Sequence, residues 1–252
     1  MTAGLVEQVT SVRTDSLSTS TSLKCLNKRR RIRRMRRVVI AASEAARARL
    51  ESHGGRYGCV LVTLTYRPGC AWDARHISDY CKAAKAHCEK HDVRARYQWV
   101  LELTQKGVPH YHVLWWLPEG FRLPKPDTSG AWPHGMSRVE RARSPVGYLV
   151  KYATKGEVER YALPKGARLF AVGGGAESEK LATHRAGLPM WLLERLPDDA
   201  RARKVAHLGW VCRSTGEIHR SPFVVLWWRD EWGFVVIEIR KRTEVLSVEG
   251  HH

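Results

Sequence analysis

Arg96-Tyr-Gln-Trp-Val-Leu-Glu-Leu-Thr-Gln-Lys-Gly-Val-Pro-His-Tyr-His-Val-Leu-Trp-Trp-Leu-Pro118 is the stretch on which the fold turns. Two runs rich in β-branched, aromatic and large aliphatic residues, Arg96 to Thr104 and His110 to Leu117, flank Gln105-Lys106-Gly107, and Pro118 stops the second. Runs of this kind bounded by turn residues read as strands, here joined as a hairpin. A turn centred on Lys106 sets Glu102 opposite His110. Residues two apart on a strand share a face, so Glu102, His110 and His112 are expected to converge at one point of a sheet. One carboxylate and two neutral imidazoles suit a divalent cation with coordination positions left open for substrate and water.

Outward from the hairpin, Tyr57 to Tyr66 reads as a further strand, with Thr63 and Thr65 in the run Val60-Leu-Val-Thr-Leu-Thr-Tyr66. Ile77 to about Asp92 has helical periodicity, with Tyr80, Cys81, Ala84 and Cys88 on its apolar side. Pro118 to Gly135 is a loop rich in Pro and Gly, long enough to be functional or mobile. Its Arg122, Lys125, Trp132 and His134 are placed to meet a nucleic-acid strand by charge and stacking. Ser137 to Ala142 reads as a short extended or turn segment. Pro145 then suits the opening of a helix that carries Tyr148 and Tyr152 one turn apart, each followed three residues later by a lysine, Lys151 and Lys155. A Tyr-Lys-Tyr-Lys stripe is a poor way to build a core. It is a good way to hold a phenol beside a cation that favours its phenolate. Strand, helix, hairpin, loop and helix in that order predict an α+β fold, a mostly antiparallel sheet with flanking helices.

The His-Tyr-His strand, the Tyr-x-x-Lys-Tyr helix and the Thr63-containing strand before them resemble the three motifs of the HUH endonucleases. The resemblance is closest to the rolling-circle replication initiators of single-stranded DNA phages, the filamentous group in particular, and spans about residues 58 to 156. It implies an HUH-like sheet and an Mg2+ or Mn2+ ion held by Glu102, His110 and His112, with Thr63 and Thr65 at the DNA. It further implies attack on an origin phosphodiester by Tyr148 or Tyr152, leaving a 5′-phosphotyrosyl enzyme and a free 3′-hydroxyl, with the two tyrosines alternating. The spacing alone does not rank them. Implied partners are a single-stranded DNA origin and, since no helicase motif is present, a host helicase and DNA polymerase. The expected location is the cytoplasm, that of a bacterial host if the gene is phage-borne. A transposase of the same superfamily and a non-catalytic basic single-strand binding protein are the alternative readings.

Charge points the same way. The 252 residues hold 43 Lys and Arg against 25 Asp and Glu, a net charge of +18. A surface so positive binds polyanions. No apolar run approaches the roughly 20 residues needed to span a bilayer. Residues 1–22 are polar, without a secretory pattern, and expected to be disordered. From Lys24 to Arg37, nine of fourteen residues are basic and none acidic. With the Ala/Arg/Glu run after it, this predicts a basic helical arm over 23–55 whose Arg29, Arg30, Arg31, Arg33 and Arg34 contact DNA phosphates.

The nuclease domain is expected over 56–165 and a C-terminal accessory or sheet-completing region over 166–252. In that last region Leu169 to Val172 reads as a strand, Gly173-Gly-Gly175 as a flexible break and Ala186 to Leu196 as a helix. His207 to Val211, Pro222 to Arg229 and Trp232 to Lys241 read as strands, the last two as a hairpin. The glycine triplet lacks the Gly-Lys-Ser/Thr of a phosphate loop. Six cysteines without metal-ligand spacing read as free thiols.

Overall fold

A computed structural model describes residues 9–13, 23–52, 54, 56–144, 147–149, 151, 163–227 and 234–239. The chain divides into two compact units, Leu23–Leu188 and a second made of Met1–Ser22 with Pro189–His252.

The first unit is built on a five-stranded sheet, every neighbouring pair antiparallel. Its strands are β2 (Tyr57–Tyr66), β3 (Arg96–Leu103), β4 (Pro109–Pro118), β5 (Gly135–Arg141) and β6 (Phe170–Gly173), in the order β5-β2-β4-β3-β6. Helices α1 (Leu23–Glu51), α2 (His76–Glu89) and α3 (Glu177–Ala186) flank it. The fold is α+β, as the order of elements predicts. β4 sits at the centre because its continuous run Tyr111 to Leu117 is buried on both faces, which suits a strand covered on each side.

The alternation along β4 separates two cores. Tyr111, Val113, Trp115 and Leu117 join Val62, Leu64 and Trp99 beneath α2, whose Ile77, Tyr80, Cys81, Ala84 and Cys88 follow the helical period. Leu114 and Trp116 join Leu61 and Val100 beneath α1, which contributes Met35, Val39, Ala46 and Leu50. Thus α1 is a core helix as well as a basic one. Its apolar stripe faces the sheet, while Arg30, Arg31, Arg33, Arg34, Arg36 and Arg37 are exposed. Ser43 accepts a hydrogen bond from Gln98 of β3, fixing the helix to the sheet. Gly54, at a φ of 69°, follows the helix end in the left-handed conformation that glycine adopts freely.

Three expectations are corrected here. The glycine triplet is no flexible break. A Cβ on Gly173 would run into the Tyr97 ring, and one on Gly174 into the Ala95 carbonyl oxygen, so both glycines permit close packing of backbone on β3. Beyond them lies α3, an element with too few apolar residues to show a periodic stripe. It is held by Glu179, which accepts from the Ala176 amide at 2.6 Å and from Arg96 Nε at 2.8 Å. The helix expected from Ala186 is therefore displaced: α3 ends there, and only the short α4 (Met190–Leu193) follows Pro189.

The loop before β5 is also pinned rather than mobile. Trp132 is buried, its ring edge-on to Tyr66 and its indole N–H donating to the Thr65 carbonyl at 3.3 Å. His134 stacks on His76 with ring centroids 3.5 Å apart. Neither is therefore a platform for a nucleic-acid base. Asp127 accepts from the Ser137 hydroxyl at 2.7 Å and pairs with Lys125 at 3.1 Å. Burial works against its ionisation, but the hydrogen bonds from Ser137 and Lys125 outweigh burial and hold the carboxyl down at about 2. A carboxyl depressed in the folded state adds stability above its unfolded pKa, so this contribution is present above about pH 4 and lost as pH falls through about 2. Asp127→Asn should accordingly flatten the acid limb of a plot of urea midpoint against pH over that window.

In the second unit β1 (Val9–Arg13) pairs antiparallel with β11 (Phe234–Ile239), which pairs with β10 (Phe223–Trp227). The β10–β11 hairpin is the expected one. β1 falls within the polar stretch read as disordered, where Val9, Thr10 and Val12 supply β-branched residues for pairing with β11. A separate sheet joins β7 (Ala202–Val205), β8 (Gly209–Cys212) and β9 (Ile218–His219). The strand expected over His207–Val211 starts instead at Gly209, because His207, at a φ of 63°, lies in the turn before it.

Candidate active site

The hairpin turn builds the site. Gly107 donates to the Thr104 carbonyl, and Thr104 donates to the Val108 carbonyl. With Gly107 at a φ of 76°, this is a turn closed by a left-handed glycine, and it sets the register Glu102↔His110. On the other side of β4, Thr63 lies opposite His112 and Thr65 opposite His110. Two rows of side chains thus cross the sheet on the face that α1 covers: Thr65, His110, Glu102 and Thr63, His112, Val100.

Within these rows the contact is diagonal. His112 Nε2 lies 2.7 Å from Glu102 Oε2, with both side chains buried. His112 Nδ1 lies 3.2 Å from the Thr63 hydroxyl. His110 is half-buried and opposite Glu102 in the ladder. Among the described residues no three His, Cys, Asp or Glu side chains stand close enough together to hold an ion as they are. The structure therefore brings two of the three expected ligands together, Glu102 and His112, and leaves His110 on their face one row away. The donor set itself fits a divalent cation. A carboxylate oxygen and an imidazole nitrogen point at each other, and the far nitrogen of that imidazole is engaged by a hydroxyl, the arrangement that orients metal-bound histidines.

The tyrosine segment packs on the same side. Residues 147–149 and 151 are helical; Leu149 is buried among the residues beneath α1, and Tyr148 packs half-buried against them. Lys151 is exposed, three residues on from Tyr148. Tyr152 and Lys155 lie outside the described residues. Among the other tyrosines, burial pushes the phenols of Tyr66, Tyr80 and Tyr97 up, and Tyr111 to about 12. Tyr80 accepts from the Trp115 indole and Tyr111 from the Trp72 indole. Such phenols are poor nucleophiles near neutral pH.

Of the residues expected at DNA, Arg30, Arg31, Arg33 and Arg34 are on the exposed side of α1, with Arg31 donating to the Ala167 carbonyl at 3.2 Å. Arg29 is helical, and its side chain lies outside the described set. Thr63 faces His112, and Thr65 is half-buried beside His110 in the ladder. One residue went unnoticed in the sequence. Arg138 of β5 lies opposite Thr63 and so stands in the same row as His112, exposed, with Glu140 as an ion-pair partner. Its signal was hidden because Ser137 to Ala142 passed for a turn. A groove of about 850 Å3 opens on the same face, lined by Trp116, Tyr57, Arg47, Arg141 and Arg143 among others.

Residues 59–157 match the family model of a replication-associated protein, ORF2 and its phage counterpart. This similarity supports a replication initiator. The matched residues run from the second residue after the start of β2 to six residues beyond Lys151, so they hold Thr63, Glu102, His110, His112 and Tyr148. No curated protein and no solved structure gave a significant match. Among the described residues no helix is long and apolar enough to cross a membrane.

Proposed function

We propose that the protein is a site-specific single-stranded DNA nicking and joining enzyme that initiates rolling-circle replication. The observation that carries this reading is the Glu102–His112 pair on the sheet face against which Tyr148 packs, all within the replication-associated match.

The phenol oxygen of Tyr148 or Tyr152 attacks the scissile phosphorus. The P–O3′ bond breaks, a phosphotyrosyl ester forms on the 5′ side, and the departing 3′ oxygen takes up a proton. The new ester stores the energy of the broken bond, so the strand can be rejoined without ATP. Glu102, His112 and His110 would hold Mg2+ or Mn2+. When bound, that ion would neutralise charge on the scissile phosphate. Lys151, on the turn after Tyr148, favours the phenolate. Arg138, in the row of His112, suits a neighbouring phosphate, and the exposed arginines of α1 bind the strand at a distance from the chemistry. The second tyrosine would cut the regenerated origin while the first holds the DNA end. The cation that serves in the cell and the alternation of the tyrosines belong to this proposal.

A nicking assay on single-stranded oligonucleotides tests it. Cleavage should require Mg2+ or Mn2+ and vanish with EDTA, while strand binding by anisotropy persists. Binding without cleavage under every cation would leave a basic single-strand binding protein instead.

A further inference from the structure

Thr63 offers a hydroxyl to a buried imidazole whose other nitrogen meets a carboxylate. We infer that Thr63 is a positioning residue that lets His112 exchange Glu102 for a metal ion by partnering both of its neutral tautomers. The inference rests on the proposed role of Glu102 and His112 as ion ligands.

The reasoning follows from the inventory of donors and acceptors. In the pair as it stands, His112 Nε2 lies 2.7 Å from a carboxylate oxygen, so Nε2 carries the hydrogen and donates it. In the neutral ring Nδ1 then holds a lone pair and needs a donor. To ligate a cation, Nε2 must present its own lone pair. One proton leaves Nε2 and one arrives at Nδ1, and the ring stays neutral throughout. Nδ1 now needs an acceptor. A carbonyl or a carboxylate accepts only, and an ammonium donates only; a hydroxyl does either by rotating about its C–O bond. The Thr63 hydroxyl at 3.2 Å from Nδ1 is such a partner.

The backbone holds it there. Thr63 is directly opposite His112 in the β2–β4 ladder, between the fully buried Val62 and Leu64. A β-branched side chain has restricted χ1 freedom, so the hydroxyl is presented without much search. His112 is only 4% exposed, and solvent is a poor substitute for the hydroxyl at its ring. Thr63 therefore acts through His112 rather than as the DNA contact that the sequence suggests.

The test uses the whole chain without DNA. Mn2+ affinity is read from the electron paramagnetic resonance of free Mn2+, and the His112 tautomer from long-range 1H–15N spectra of the metal-free protein. Thr63→Val, of similar shape but without the hydroxyl, should weaken Mn2+ binding by about tenfold or more, the scale on which outer partners of ligating histidines are felt. It should also leave His112 without a single dominant tautomer. Thr63→Ser should restore both, and strand affinity without metal should stay within about twofold. If Thr63→Val does not fold, Thr63→Ala carries the same comparison. Wild-type Mn2+ affinity in the variant overturns the inference while upholding the ion site, and so does normal Mn2+ affinity with lost strand binding. No Mn2+ binding by the wild-type chain overturns the ion reading itself, and this inference with it.

Discussion

Replacing Tyr148 and Tyr152 together by Phe should abolish covalent attachment to an origin oligonucleotide, a fall of about 10³-fold or more, the scale on which loss of a covalent nucleophile is felt. Either single change should leave measurable cleavage. The change is mild for the fold. Phe keeps the ring with which Tyr148 packs half-buried against the layer beneath α1, and only the hydroxyl goes. The described tyrosines of the core offer no substitute. Burial raises the phenols of Tyr66, Tyr80, Tyr97 and Tyr111, and the hydroxyls of Tyr80 and Tyr111 are held by indoles. Gel-resolved adducts after a short incubation with Mn2+ make the measurement. Adducts at wild-type yield in the double variant would place the nucleophile elsewhere.

Glu102→Gln should reduce nicking by about 10²-fold or more while strand affinity changes by less than about twofold. An amide is a far weaker ligand for a hard cation than a carboxylate. Alanine at this position would confuse the result. Removing one partner of a buried ion pair or charged hydrogen bond costs about 3–5 kcal/mol and threatens the fold. Gln keeps the length of the side chain and an oxygen that accepts from His112 Nε2, so the melting temperature should move little. Single-turnover nicking rates with a parallel anisotropy titration separate the two effects. Undiminished nicking would remove Glu102 from the chemistry.

The parts of this structure that were legible in the sequence are those set by local rules. The Glu102↔His110 register follows from a short turn closed by Gly107, and the turn residues announce it. The buried face of α2 follows from the spacing of Ile77, Tyr80, Cys81, Ala84 and Cys88. The parts that were not legible depend on tertiary partners. α3 has no apolar stripe because its anchor is the Arg96–Glu179 pair, a contact between residues 83 apart in the chain. Trp132 lies in a Pro- and Gly-rich loop and looks exposed until β2 supplies the Thr65 carbonyl for its indole. β5 is short and carries Arg138 and Glu140, so nothing but its pairing with β2 marks it as a strand. At the site, the sequence placed Glu102, His110 and His112 on one face. It could not say that the close contact runs diagonally to His112, nor that Thr63 would close its far side.

The central claim is that a phenol on the tyrosine segment takes up a DNA phosphate beside the Glu102–His112 pair. The most direct measurement is mass spectrometry of the peptide–oligonucleotide adduct trapped with single-stranded origin DNA and Mn2+. The account predicts one nucleotide-bearing peptide, containing Tyr148 or Tyr152, with the phosphate ester on the phenol oxygen. An adduct on any other side chain, or nicked DNA with no adduct at all, would contradict it.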